Sequence, residues 1–207
     1  MKTIYLIRHS TTEKNINFYD IKNKQIENKL LPLSIKGEEK ASKFCKKHFN
    51  KNINHLWLST YNRAISTAKY ISNLNNITLN ISYLFDERKL GNPKEVTNKF
   101  WLTQLKDENA KPKEGESQKE VRERMLKGLE IVLSKTKEGE TSAIVSHASA
   151  ITFLLMNWCT LKKATLKDKK RWLTYNNKTI INNSFNMPDA FKLEFDKNNL
   201  IDIIHVD

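Results

Sequence analysis

The sequence predicts an α/β protein: a three-layer sandwich in which a doubly wound, mostly parallel sheet carries helices on both faces and ends in an antiparallel edge. Three observations carry this. Short apolar, β-branched runs alternate with helix-period segments from residue 2 to about residue 158, the grammar of a doubly wound sheet. Several of those runs, or the turns just after them, stop on charged side chains, which sets cations, imidazoles and a carboxylate along one edge of the sheet. The last two apolar runs, 190–195 and 200–204, are joined by Asp196-Lys-Asn-Asn199, a hairpin turn.

Lys2 to Ile7 is the first strand, and it ends on Arg8-His9. Residues 16–33 show no clear period and read as a loop draped over that end. Ser34 is an N-cap signal with Glu38 close to capping-box position, so a helix runs to about residue 49 with Ala41, Phe44, Cys45 and Phe49 on its inner face. His48, among lysines, is expected to be exposed. His55 to Ser59 is the second strand; His55 opens it, away from the carboxyl end, and stays outside the site. Thr60 to Arg63 leads into a helix over 64–71. The third strand spans 77–84 and delivers Phe85 to Gly91. Residues 94–109 look helical, with Val96, Phe100, Trp101 and Leu105 as the inner face of a cap or lid covering about 92–115. Glu116 and Ser117 open a long helix to about residue 136, and serve as well for a plain helix cap as for a site block. Thr141 to Ser146 is the fourth strand and ends on His147, before a helix at about 149–158. Residues 160–178, basic with aromatic interruptions, give no clear period. His205 falls on the tail and is expected to be exposed.

The chain has 207 residues, 39% of them hydrophobic, with only 5 Gly and 4 Pro. That fits one domain over 1–207 with a real core and no long linker. The formal charge of +13 favours anionic partners. The lysines are scattered, however, and the densest group, 162–171, reads as solvated surface, so nucleic acid is disfavoured. No run is long enough to span a membrane, and Arg8 breaks the first apolar run too early for a secretory signal, which places the protein in the cytoplasm. Cys45 and Cys159 are far apart and read as buried thiols rather than ligands or a disulfide. The sequence leaves the oligomeric state open, a homodimer being one candidate.

Strand ends and the turns after them thus supply Arg8, His9, Arg63, Glu87 and His147. Two guanidinium groups can grip a tetrahedral phosphoryl group, one imidazole can attack it, the second can donate to its oxygens, and a carboxylic acid can protonate the leaving alcohol. This set needs neither a metal nor a cofactor.

Taken in order, the blocks resemble the histidine phosphatase superfamily, the phosphoglycerate-mutase-like branch. They are Arg8-His9-Ser10 continuing to Asn15, Ser59-Thr60-Tyr61-Asn62-Arg63-Ala64 with Thr67-Ala68, Glu87-Arg88-Lys89-Leu90-Gly91, Gly115-Glu116-Ser117 and Ser146-His147-Ala148. Met187-Pro188-Asp189 before a strand is similar to small bacterial phosphatases of this group. The resemblance implies His9 as nucleophile, Glu87 as general acid, and Arg8, Arg63 and His147 around the phosphate with Asn15 assisting. It implies Arg88 against the rest of the substrate. Ser10 and Ala148 stand where the family has glycine, so altered or reduced activity is expected, with Ser10 offering a hydroxyl to the phosphate. The implied activity is metal-independent hydrolysis of small phosphorylated substrates through a phosphohistidine. Leu90, where mutases carry Tyr, and the shorter chain argue against the alternative of a phosphoglycerate mutase. The glycine losses and the basic surface motivate another, a catalytically weak member that binds phosphorylated ligands or nucleic acid.

Overall fold

The computed structural model describes residues 1–182 and 185–206. β1 (Lys2–Arg8) is followed by α1 (Lys24–Leu30) and α2 (Ile35–His48). Then come β2 (His55–Leu58), α3 (Asn62–Asn75), β3 (Leu79–Ile81) and a 3-10 turn at Tyr83–Phe85. α4 (Asn98–Lys106) and α5 (Gln118–Lys135) lead to β4 (Thr141–Ser146) and α6 (Ala148–Leu155). The chain closes with β5 (Thr160–Ala164), β6 (Arg171–Tyr175), β7 (Lys178–Ile181), β8 (Asp189–Asp196) and β9 (Asn199–Val206).

The main sheet has the order β3-β2-β4-β1-β8-β9. Its first four strands are parallel, and β8 and β9 form the antiparallel edge. The fold class read from sequence therefore stands. Side chains alternate across the sheet as the pleat requires. Ile4, Leu6 and Ile144 face one core with residues of α5 and α6, while Ile7, Leu56, Leu58 and Val145 face another with Cys45 and Phe49 at the end of α2 and Ala64, Ala68 and Ile71 of α3. The central strands β1 and β4 thus send side chains into both cores, which is why their runs read as continuously apolar.

The loop expected over 16–33 contains α1, which begins on an Asn23 cap and buries none of its residues. The third strand is shorter than expected, because the chain turns at Ser82 into the 3-10 turn. Residues 160–178, unread from sequence, belong to a second, three-stranded antiparallel sheet, β5-β6-β7. α4 packs Trp101 and Leu105 into the main core. Cys45 and Cys159 are free and buried, and burial pushes both thiols up to about 12. His48 is half-buried against Phe44, ring centroids 4.7 Å apart, rather than exposed. His205 is also not free in solvent: its Nε2 meets Asp189 Oδ1 at 2.7 Å, and its ring stacks on Phe191. β9 pairs Phe191 with His205 directly across the ladder, which forces that contact. Among the described residues no helix is long and apolar enough to cross a membrane.

Candidate active site

Four parallel strands bring their carboxyl ends to one edge, and the expected residues gather there. Arg8 ends β1 and His9 follows it; β1 runs beside β4, pairing Arg8 with Ser146, so His147 emerges next to His9. Their ring centroids are 5.0 Å apart. Arg63 is in the first turn of α3 and turns inward, 5% exposed. Its Nε donates to His9 Nε2 at 3.0 Å, and its Nη1 donates to the Asn28 carbonyl of α1.

His9 Nδ1 lies 2.7 Å from the Ser10 carbonyl, which can only accept. Nδ1 therefore carries the proton, and the Nε2 lone pair points at Arg63. Burial, then the Arg63 and Arg8 charges, hold the imidazole well below its usual range, against the Ser10 carbonyl. The ring is neutral.

His147 is fully buried, and its Nε2 lies 2.8 Å from Ser59 Oγ. Ser59 Oγ donates to Asp86 Oδ1 at 2.8 Å and accepts from the Tyr61 N–H at 3.2 Å. The hydroxyl's one proton goes to the carboxylate, so His147 Nε2 must be the donor. Nδ1 is then a buried lone pair with no partner. It becomes a donor once the ring is protonated. Burial, followed by His9, Arg63, Arg124 and Arg8, holds His147 well below its usual range. Asp86 is fixed by Thr60, whose N–H and hydroxyl both donate to it, at 2.7 Å and 2.8 Å. Neither Ser59 nor Asp86 is singled out by the sequence; the available signal is a carboxylate after one strand and a serine at the end of its neighbour.

Glu87 sits at the start of α6. Its Oε1 accepts from Ala150 N–H at 3.1 Å and Arg88 N–H at 3.0 Å, while Oε2 has only a long contact from Ser149 N–H, 3.4 Å. Its charge reaches Arg8, Arg63, Arg88 and Arg171. Arg124 of α5 props the segment from behind, donating to the Leu84 and Asp86 carbonyls at 2.9 Å and 3.0 Å while paired with Glu116. Arg8 Nη1 donates to the Phe185 and Asn186 carbonyls, and its Nε is buried without a partner.

Two expectations are corrected. Ser10 does not face the cluster: its hydroxyl donates to the Gly37 carbonyl at 2.7 Å, and its N–H goes to Thr67 Oγ1. This ties the end of β1 to α2, which approaches so closely that a Cβ on Gly37 would meet the Thr11 carbonyl oxygen at 2.0 Å. Asn15 is exposed, its N–H held by Glu13 Oε1 at 3.1 Å, and among the described residues its side chain makes no hydrogen bond to the cluster. Ser10 and Ala148 both have negative φ, so the family glycines are not required by backbone conformation here. Glu116-Ser117 is a helix cap: Ser117 and Glu120 form a full capping box. Arg88 is buried with its Nη1 on Gln104 Oε1. Arg171, which sequence reading missed, joins the cluster from β6. Its signal was an arginine opening an aromatic run in a segment otherwise supplied with lysine. Among the described residues no three His, Cys, Asp or Glu side chains are grouped to hold a metal ion.

Fold and site together define an α/β protein with an anion-receptive cluster of imidazoles and guanidiniums at the carboxyl edge of its parallel strands. The chain belongs to the histidine phosphatase superfamily, branch 1, whose sequence profile matches residues 4–180. Among solved structures it is similar to Bacillus stearothermophilus YhfR, at 20% identity and a TM-score of 0.67, over 97% of this chain and 95% of that one. It is similar to the mycobacterial glucosyl-3-phosphoglycerate phosphatase complexed with VO3, at 15% identity and 0.67, over 98% and 96%. TTHB049 from Thermus thermophilus aligns over 99% of both chains, at 16% identity and 0.60. These likenesses show the fold. No curated protein matches the sequence.

Proposed function

We propose that the protein is a metal-independent phosphomonoesterase that passes the phosphoryl group of a small substrate through His9. The observation that carries the reading is the His9 tautomer: with Nδ1–H on the Ser10 carbonyl, the Nε2 lone pair faces the Arg63 guanidinium at 3.0 Å. A phosphoryl group arriving between them takes over the donors of Arg63 and Arg8. The Nε2 lone pair forms the N–P bond as the bond from phosphorus to the leaving oxygen breaks, and protonated Glu87 gives its proton to that oxygen. Glu87, now a carboxylate, takes a proton from water; the new O–P bond forms and the N–P electron pair returns to Nε2. His147 as imidazolium donates through Nδ1 to a phosphoryl oxygen, and the guanidiniums neutralise the rest.

Hydrolysis is favoured over isomerisation by Leu90 at the position where mutases carry Tyr, and by the likeness to a mycobacterial phosphatase. Neither Ser10 nor Ala148 has a positive φ, so the binding-only reading draws no support from backbone strain at these positions. The test is turnover of an aryl phosphate by purified protein in excess chelator. Phosphate release is expected, with His9→Ala slower by at least about 10³-fold. No turnover, or turnover only with added metal, defeats the reading.

A further inference from the structure

Arg8 is tethered through one nitrogen. Its Nη1 donates to the Phe185 carbonyl at 2.7 Å and to the Asn186 carbonyl at 3.1 Å. Its Nε is buried without a partner, and among the described residues its Nη2 makes no hydrogen bond either. Nε and Nη2 form one edge of the guanidinium, the fork that grips two oxygens of a phosphoryl group side by side. The two carbonyls therefore decide where that edge points.

The segment that offers them leads into β8, which Asp189 opens. Asp189 stands directly opposite Arg8 in the antiparallel β1–β8 ladder. Residues so paired send their side chains to one face of the sheet. Among the described residues, however, the two do not meet as an ion pair. Asp189 turns back along its own chain instead, and its Oδ2 accepts from the Asn186 N–H at 2.9 Å. That N–H and the Phe185 carbonyl belong to the same planar peptide unit. A single peptide group thus stands between carboxylate and guanidinium, its N–H on one and its C=O on the other. Each hydrogen bond polarises the peptide in the sense that strengthens its partner.

Asp189 is 4% exposed and is the one buried side-chain carboxyl among the described residues. Such burial is costly unless donors surround the group. Besides the Asn186 N–H, the Ala190 N–H donates to Oδ1 at 3.0 Å, and His205 Nε2 of β9 donates to it at 2.7 Å. Burial disfavours the Arg8 cation, and the Glu87 and then the Asp189 charges oppose this. When Glu87 starts the reaction protonated, Asp189 is the counter-charge that remains to Arg8.

We propose that Asp189, held by His205, is a positioning residue: through the Phe185–Asn186 peptide it aims the free edge of Arg8 at the phosphoryl oxygens. This rests on the phosphomonoesterase reading for the identity of the anion, but it is tested by binding rather than turnover. Inorganic phosphate is titrated calorimetrically into the natural protein, Asp189→Asn, Arg8→Met and the double variant. Asp189→Asn is expected to weaken phosphate binding about tenfold. Removing a negative charge near an anion site would by itself tighten binding, so a loss reports the aim of Arg8. In the Arg8→Met background the same substitution is expected to change affinity by less than about twofold, because the group it acts through is gone. Should the asparagine variant fail to fold, His205→Phe keeps a ring on Phe191 and removes one donor to Asp189. It is expected to weaken phosphate binding about threefold, again only while Arg8 is present. Unchanged or tighter binding in these variants overturns the proposal, as does the absence of phosphate binding by the natural protein. An equal loss with and without Arg8 overturns it too, since Asp189 would then act on the fold alone. A lack of turnover with aryl phosphate, where phosphate still binds, would instead strike the hydrolytic reading.

Discussion

At the scale of single residues, the site rests on two imidazoles whose tautomers are set by different means. His9 is fixed by a main-chain carbonyl, His147 by Ser59 and, through it, Asp86. Every charged group facing the His147 ring from β1, α3 and α5 is cationic or becomes so, and each opposes its protonation. The Tyr61 ring meets it edge-on at 4.8 Å and brings no charge. The Asp86–Ser59 pair is the one arrangement that favours the imidazolium. Asp86→Asn keeps an acceptor for the Ser59 hydroxyl, because the Thr60 N–H holds the amide oxygen at the Oδ1 place, but it removes the negative charge behind Ser59. It is expected to lower kcat/KM by about tenfold to a hundredfold, less than the ~10²–10³ lost with an oxyanion donor outright. The sign in pH follows: with His147 harder to protonate, the limb on which kcat/KM falls as pH rises moves to lower pH. A pH profile of Asp86→Asn superimposable on that of the natural protein would contradict this. Arg8, His9, Glu87 and His147 are legible in the sequence because each ends a strand or lies in the turn after it, and Arg63 because it opens a helix just after one. Ser59 and Asp86 were hidden because their role depends on a hydrogen-bond chain across three elements. Asn15 and Ser10 were misread because a motif position says nothing about which way a side chain turns.

At the scale of elements, what was legible followed from burial. β1, β2 and β4 carry apolar runs that fill both cores, and the α2 and α5 caps were visible in Ser34 and Ser117. α1 escaped because it buries nothing and so has no apolar period; its signal was Asn23, which accepts from Gln25 N–H at 2.9 Å. The β6–β7 hairpin had a sharper signal. Asn176 and Asn177 both have positive φ, 46° and 62°, the backbone of a two-residue hairpin turn for which asparagine is suited. Lysine-rich strands facing solvent otherwise show no pattern. α5 also supports the site directly. A Cβ on Gly128 would meet Phe85 Cε1 at 2.6 Å, and Phe85 leads straight into Asp86 and Glu87. Gly128→Ala is expected to cost about 1–3 kcal/mol by overpacking, even though alanine is the better helix former. Because the strain falls on the segment carrying Glu87, kcat drops as well. Chemical denaturation together with steady-state kinetics checks both; a variant more stable and equally active would show that the contact yields freely.

At the scale of the whole molecule, the site constrains stability. His9 and His147 are neutral when folded, with pKa values below the 6.5 of the free side chain. The unfolded chain therefore binds protons that the folded chain does not. Their contribution is fully present above about pH 6.5 and is lost as pH falls from there, by up to about 1.4 kcal/mol per pH unit for each ring. Denaturant midpoints at pH 7.5 and pH 5 should differ accordingly, and His9→Ala should reduce the difference; a flat profile would mean that the rings titrate freely in the folded state. The net charge of +13 divides between two kinds of cation. The exposed lysines remain a solvated surface, whereas four of the six arginines gather around the site, Arg63, Arg88 and Arg171 buried and Arg8 half-buried.

Covalent capture on His9 tests the central claim most directly. Glu87→Gln protein, slowed in releasing phosphate to water, is mixed with a radiolabelled aryl phosphate, quenched and digested. The account predicts one acid-labile, base-stable phosphoryl group per chain on the peptide containing His9, and none when His9 is alanine. Turnover without any such label, or label on another residue, would contradict it.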